Sequence, residues 1–202
     1  MPAQDPIVIV GSARTPIGAF QGDLKDLSAP ELGAIAIRAS VERAGIPPDS
    51  IQEVLFGCVL PAGLGQAPAR QAALGAGLPL SAGATTINKV CGSGMKAVML
   101  AHDLLSVGSI DIAVAGGMES MTNAPYLLDR ARAGYRLGHQ RALDHIFLDG
   151  LEDAYDKGRL MGAFAENCAQ SYSFTREAQD EYALRSLALA QRAIADGSFA
   201  EE

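Results

Sequence analysis

The stretch ATTINKVCGSGMKAVMLA, residues 84–101, decides how this sequence folds. Its first part, 84–90, is rich in β-branched and apolar residues and predicts a short buried strand. The part that follows predicts a helix that begins at Cys91 and stops near Gly108, because apolar residues recur there at helical spacing. The thiol of Cys91 is therefore expected at a strand-to-helix turn.

A cysteine at such a turn is a candidate nucleophile. Unpaired N–H groups and the helix dipole at a helix N-terminus favour a thiolate, and the thiolate is the reactive form of cysteine. Gly92 and Gly94 leave the approach to the sulfur open to a bulky substrate. Taken alone, the Cys-Gly-Ser-Gly motif leaves it equally open that Cys91 is a small buried hydrophobic residue.

Composition and charge exclude several classes of protein. The chain has 202 residues, of which 49% are hydrophobic and 19% charged, so it can bury a sizeable core as one or two domains. Its net charge of −7 argues against a general surface for nucleic acid or anionic membranes, although it leaves room for a local basic pocket. We therefore expect neither nucleic acid nor a membrane as a partner.

The cysteines indicate a reducing compartment. Cys58, Cys91 and Cys168 are odd in number and widely spaced, which fits neither a disulfide framework nor a zinc site. Residues 1–6 lack the basic and apolar regions of a secretory signal. No run approaches the roughly 18 apolar residues that a membrane helix needs. The sequence thus predicts a cytoplasmic protein without a metal.

The order of elements along the chain predicts an α/β fold. A buried strand is expected at 7–10, and a capping box at Ser28 begins a helix that ends at Gly45. Further strands are predicted at 53–59 and 111–115, and helices at 67–74, 160–171 and 176–195. This alternation favours mainly parallel strands covered by helices. The sequence after Gly117 becomes irregular and richer in arginine. We therefore predict a core α/β domain over 1–120 and an inserted helical and loop domain over 121–202.

Five stretches, in the same order, resemble the signatures of the thiolase family. They are VGSARTPIG at 10–18, GCVL at 57–60, NKVCGSGMKAV at 88–98, GGMESM at 116–121, and MG at 161–162 followed by AEN at 165–167. The resemblance is closest to the acetyl-CoA acetyltransferases, which are acetoacetyl-CoA thiolases. It implies a thiolase-like N-terminal domain with a mixed, mainly parallel sheet between helices. A thiolase is about twice this long, so the chain resembles the N-terminal half of one.

The resemblance implies a reaction and its site. Two molecules of acetyl-CoA would give acetoacetyl-CoA and coenzyme A, reversibly, through an acetyl group on Cys91, with no metal or bound cofactor. The backbone N–H of Cys91 would serve one oxyanion hole. Leu151 and Met161 match apolar positions that line the pantetheine path; the alternative for Met161 is ordinary helix packing. Leu160 stands where many biosynthetic thiolases have histidine, and the spacer before it is longer.

The catalytic partners of the cysteine are expected outside this sequence. In the family, the activating histidine, a second cysteine and an Asn-Glu-Ala-Phe element lie in the C-terminal half, and none of these motifs occurs here. His102 is excluded as a direct base because it follows Cys91 by eleven residues of one predicted helix, roughly 16 Å along its axis against a hydrogen-bond reach of about 3 Å. His139 and His145 are predicted to be structural or interface residues.

Alternative functions remain open at this point. One is a degradative 3-ketoacyl-CoA thiolase, and another is a catalytically incomplete fragment or subunit that needs a C-terminal half. A ketoacyl synthase shares the fold but lacks the insertion after residue 120. The resemblance also implies a homo-oligomer, either a dimer or a tetramer. Cys58 and Cys168 have no basic neighbour at helical spacing and are predicted to be inert.

Overall fold

The computed structural model describes residues 6–200, which contain five α-helices and five β-strands. In chain order they are α1 (Ala29–Ala44), β1 (Glu53–Gly57), α2 (Pro68–Gly75), β2 (Gly83–Ile87), α3 (Ser93–Ser106), β3 (Ala113–Gly117), β4 (Tyr126–Leu127), β5 (Leu143–Asp144), α4 (Met161–Ser171) and α5 (Arg176–Asp196). The chain divides into two compact units, one ending at Gly150 and the other beginning at Leu151. The division predicted near residue 120 stays a prediction.

The central sheet is parallel, with the strand order β2-β1-β3. Side chains alternate along β1, as expected for a strand buried on both faces. Val54 and Phe56 join the core formed with α1 and α2, whereas Leu55 packs with Ala97 and Ala101 of α3. The helices therefore cover both faces of the sheet, which confirms the predicted α/β fold.

The ends of α1 follow from local sequence signals. The backbone N–H of Ser28 donates a hydrogen bond of 2.7 Å to the carboxylate of Glu31, completing the predicted capping box. Gly45 ends the helix in the left-handed conformation, with φ of 65°. Both ends therefore lie where the sequence places them.

Residues 7–10 do not form a strand, so that prediction was wrong. All four residues are exposed, and the exposed fraction of Ile9 is 85%. A strand needs a neighbouring backbone to pair with, and β3 pairs on one side only, with β1, within residues 6–200. A cavity of about 520 Å³ lies among residues 7–13, α1, α3 and β3. The apolar pattern of 7–10 is that of a strand, but no strand pairs with this segment within residues 6–200.

The second unit contains α4 and α5 and a loop before them. An isolated antiparallel bridge joins Glu152 to Leu160, and the Glu152 carboxylate accepts hydrogen bonds from the backbone of Gly158 (2.7 Å) and from Lys157 (3.1 Å). Nearly every residue of α4 and α5 is exposed, including the apolar side chains of Tyr182, Leu184, Leu187 and Leu189. No helix within residues 6–200 combines the length and apolar character needed to cross a membrane.

Candidate active site

The turn that carries Cys91 joins the end of β2 to the start of α3. β2 ends at Ile87 and α3 begins at Ser93, with Gly92 as its N-terminal cap. The strand therefore ends three residues earlier, and the helix begins two residues later, than the sequence predicted. Cys91 lies directly before the cap, and its thiol is free and exposed. Cys91 thus lies at the N-terminal end of α3, where the N–H groups of Gly92 and Ser93 donate to the carbonyls of Lys89 and Val90, each at 3.1 Å.

Side-chain hydrogen bonds shape this turn around Val90. Val90 has a φ of 47°, a left-handed conformation that is unusual for a β-branched residue. Its N–H donates to Oδ1 of Asn88 at 2.9 Å, and its carbonyl accepts from Oγ of Ser93 at 2.6 Å. The same Oγ accepts from the N–H of Lys89 at 2.8 Å. The predicted strand is interrupted here because side chains hold the backbone in a turn.

Close backbone packing places the first turn of α3 on the sheet. A Cβ added at Gly57, the last residue of β1, would lie 2.7 Å from Cβ of Ser93 and 2.8 Å from N of Gly94. A Cβ added at Gly117, the last residue of β3, would lie 3.6 Å from Cα of Gly94. Glycine at these positions lets the helix terminus rest on the carboxyl ends of two strands. This packing holds the Cys91 turn above the sheet.

The loop after β1 carries a cysteine of opposite character. Cys58 is 1% exposed, and its Sγ lies 3.6 Å from Oε1 of Glu119. Burial, together with the negative charge of Glu119, raises the pKa of the Cys58 thiol to about 12. The Glu119 carboxylate also accepts hydrogen bonds from the N–H groups of Val59 (2.8 Å) and Leu60 (3.0 Å). These surroundings suit the predicted inertness of Cys58.

Sequence reasoning missed Glu119 and Asn88. The GGMESM stretch contributes only to the resemblance, yet its glutamate fixes the loop after β1. Asn88 joins this loop to the Cys91 turn, since its Nδ2 donates to the carbonyl of Val59 at 3.4 Å. An asparagine inside the predicted strand 84–90, a residue typical of turns, was the signal available for Asn88. No local signal pointed to the role of Glu119.

The three histidines lie in different surroundings. His102 is a surface residue of α3, with Nδ1 3.4 Å from Oγ of Ser106. His139 is exposed. His145 is 4% exposed, with Nδ1 2.6 Å from Oδ2 of Asp149 and Nε2 accepting from the N–H of Ala62 at 3.3 Å. His145 is therefore structural, and within residues 6–200 no histidine is hydrogen-bonded to Cys91.

Leu151 and Met161, the two predicted pantetheine contacts, lie in the second unit. Glu152 and Leu160 pair in an antiparallel bridge, so Leu151 and Met161, which follow outward from that pair, lie opposite each other. They are 38% and 44% exposed, and Met161 begins α4. The structure thus brings these two apolar residues together, while Cys91 belongs to the first unit. Over the described part of the chain, no group of three or more His, Cys, Asp and Glu side chains is arranged to hold a metal.

The order of motifs along the chain matches one family. The family model described as the N-terminal domain of thiolase matches residues 7–202. The chain belongs to the thiolase family. This thiolase-family chain is 52% identical to an acetyl-CoA acetyltransferase of Cupriavidus necator and 51% identical to a cytosolic one of Gibberella zeae, each over 97% of its length. It is also 51% identical to a mitochondrial acetyl-CoA acetyltransferase of Danio rerio over 100% of its length.

The matched regions cover 50%, 49% and 47% of these three proteins, respectively. The chain therefore spans about half the length of the curated relatives it matches. The shared half is the one that contains Cys91 and its turn.

Proposed function

We propose that this chain supplies the acyl-accepting nucleophile of an acetyl-CoA acetyltransferase, and that Cys91 is the nucleophile. The observation that carries the proposal is an exposed thiol at the N-terminal end of α3, in a turn fixed by Asn88 and Ser93. Relatives that bear this enzyme name and are about half identical support acetyl-CoA as the substrate.

The proposed reaction has two steps at one sulfur. The Cys91 thiolate attacks the thioester carbonyl of acetyl-CoA, the new S–C bond forms, and coenzyme A leaves as a thiolate that takes up a proton. A second acetyl-CoA, which has lost a proton from its methyl group, then attacks the acetyl-cysteine. A C–C bond forms, the bond to Cys91 breaks, and acetoacetyl-CoA leaves. The backbone N–H of Cys91, at the N-terminal end of α3, is proposed to donate to the oxyanion.

Leu151 and Met161 are proposed to line the path of the pantetheine arm. Both are apolar and partly exposed, and the bridge before α4 sets them side by side. Such residues bind an uncharged chain by burying its methylene groups. Coenzyme A thioesters act here as substrates, and the proposal includes no metal or resident cofactor.

We further propose that turnover requires a C-terminal half. The absence of a histidine bonded to Cys91 in residues 6–200 leaves the nucleophile without a general base, and the cavity beside β3 is open where the sheet could accept another strand. A missing base lowers the rate by roughly 10²–10⁴, and each missing oxyanion donor by roughly 10²–10³. The chain alone would then form an acetyl-enzyme slowly and turn over very little.

Self-association and a cytoplasmic location complete the proposal. Met95, Val98 and Met99 form an exposed apolar face on α3, which favours a homo-oligomer. The relatives include a cytosolic enzyme and mitochondrial ones, so a cytoplasmic location rests on the sequence features described above. Light scattering at micromolar concentration checks the association, and a stable monomer would contradict it.

The experiment that tests the nucleophile is acetyl mapping. Incubation of the chain with acetyl-CoA, followed by peptide mass spectrometry, is expected to place one acetyl group on Cys91. Cys91→Ser removes that label, whereas Cys168→Ser, a change at another exposed thiol, leaves it in place. Label on Cys58 or Cys168 in the wild type would overturn the proposal.

Thiolysis of acetoacetyl-CoA tests the requirement for a second half. We expect little activity from the chain alone and restored activity when a thiolase C-terminal half is supplied. Full activity from the chain alone would show that no second half is needed. It would leave the proposed role of Cys91 as nucleophile unchanged.

A further inference from the structure

We propose that Ser93 and Asn88 are positioning residues for Cys91, and that they act by holding Val90 in its left-handed conformation. This inference rests on the proposed nucleophilic role of Cys91 and deepens it. The two side chains meet the backbone of Val90 from opposite sides, Asn88 at its N–H and Ser93 at its carbonyl.

The conformation of Val90 needs support from its surroundings. A β-branched residue at a φ of 47° crowds its own backbone. Such conformations persist only where neighbouring groups over-determine them, and they concentrate at functional sites. Val90 directly precedes Cys91, so a rotation of its backbone would redirect the thiol relative to the start of α3.

The hydroxyl of Ser93 is used entirely within this turn. The residue is 4% exposed, and Oγ donates to the carbonyl of Val90 while it accepts from the N–H of Lys89. The backbone N–H of Ser93 also donates to the same carbonyl at 3.1 Å. A buried hydroxyl with both partners inside one turn constrains the backbone of that turn rather than connecting it to a distant element.

Asn88 constrains the other side and connects the turn to a rigid neighbour. Its Oδ1 accepts from Val90, and its Nδ2 donates to the carbonyl of Val59. The N–H of Val59 is in turn held by Glu119. The turn is therefore anchored to the loop after β1 as well as to the first turn of α3.

Glycine at position 90 provides a test that separates positioning from general stabilisation. Glycine enters the left-handed region without steric conflict, so Val90→Gly removes the strain that the two side-chain hydrogen bonds offset. The rate at which iodoacetamide modifies Cys91, divided by the rate at the exposed Cys168 of the same molecule, measures the positioning of the thiol. Labelling of Cys58 reports unfolding, because Cys58 is buried in the native state.

We expect Ser93→Ala and Asn88→Ala each to lower the Cys91-to-Cys168 ratio by about tenfold, since a misplaced reacting group loses rate steeply. Val90→Gly alone leaves the ratio within about threefold of the wild type, and adding it to either alanine variant restores most of the loss. A hydroxyl that only supported core packing would not be rescued by glycine at a neighbouring position.

An unchanged ratio in both alanine variants would overturn the proposal, and so would a reduced ratio that Val90→Gly fails to restore. If Ser93→Ala unfolds the chain, the Asn88→Ala pair decides the outcome. Failure of the proposed function is a separate result: acetyl-CoA would then label another cysteine in the wild type, while the alkylation ratio would still report whether the turn is positioned as described.

Discussion

Two neighbouring parallel strands, β1 and β2, each lead into a loop with a cysteine, and the two loops make those thiols opposite in character. Cys58 follows β1 directly and is buried against the carboxylate of Glu119, which helps to raise its pKa to about 12. Cys91 follows β2 by four residues and is exposed at the start of α3. From this difference we predict that the reactivity of each thiol depends on the group that follows its strand: a carboxylate beside Cys58 and a helix terminus beside Cys91.

The strongest test of this comparison is alkylation of the native chain at pH 8. A pKa of about 12 leaves about one Cys58 thiol in ten thousand ionised at that pH, and burial excludes the reagent. We expect Cys91 to react with iodoacetamide at least a thousand times faster than Cys58, as measured by peptide mass spectrometry. Comparable rates for the two thiols in folded protein would break the comparison.

The packing under the Cys91 turn can be tested with Gly57→Ala. The new methyl group would collide with backbone and Cβ atoms of Ser93 and Gly94, so we expect a loss of about 3 kcal/mol in the free energy of unfolding. The labelling ratio of Cys91 to Cys168 is expected to fall as well.

Gly162→Ala is the matched control for this change. Gly162 lies in α4 with open space around its added Cβ, so alanine there is expected to stabilise by about 0.5–1 kcal/mol through helix propensity. Urea denaturation measures both variants, and equal effects would show that the contact under α3 is not tight.

The loop after β1 can be weakened with Glu119→Gln. Val59 and Leu60 donate to different oxygens of the Glu119 carboxylate, so an amide, which replaces one oxygen with an NH₂ group, would leave one backbone N–H facing a donor. We expect a loss of about 2 kcal/mol in unfolding free energy and faster labelling of Cys58 as the negative charge disappears. Glu181→Gln, an exposed change on α5, is the control. Unchanged Cys58 labelling would mean that burial alone protects this thiol.

The smallest expected effect lies at the start of α1, away from both cysteines. Hydrogen bonds from the hydroxyl and the N–H of Ser28 lower the pKa of Glu31 in the folded state. A lowered folded pKa means that the stabilisation is present above the unfolded value and is lost as pH falls through the folded one. Glu31→Gln keeps an acceptor but cannot titrate, so its small deficit in melting temperature at pH 7 is expected to shrink as the pH falls and Glu31 becomes protonated. A deficit that stays the same between pH 7 and pH 3 would contradict this explanation.

The sequence predicted the elements that local signals determine. The capping box at Ser28 and the glycine at Gly45 fix α1 through contacts within a few residues. The parallel sheet followed from runs of β-branched residues between helical segments. Membership of the thiolase family followed from motifs whose order spans the chain.

What could not be predicted depends on distant partners. Residues 7–10 have the pattern of a strand, but a strand forms only if a neighbouring backbone pairs with it. The space between this segment and β3 is a cavity. Val90 has the propensity of a strand residue, yet the side chains of Asn88 and Ser93 hold it in a turn. The role of Glu119 depends on N–H groups sixty residues earlier in the chain. Residue patterns contain no information about such contacts until the fold brings them together.

The exposed segment at 7–10 has a consequence for the colloidal behaviour of the chain. Its sequence, Ile-Val-Ile-Val, is uncharged and has high β-propensity, which is the composition that nucleates cross-β stacking between molecules. The free edge of β3 offers a second template of the same kind within residues 6–200. Precipitation on concentration should therefore begin at this segment, and a charge in place of Ile9, the most exposed of the four, should delay it by repelling a second copy.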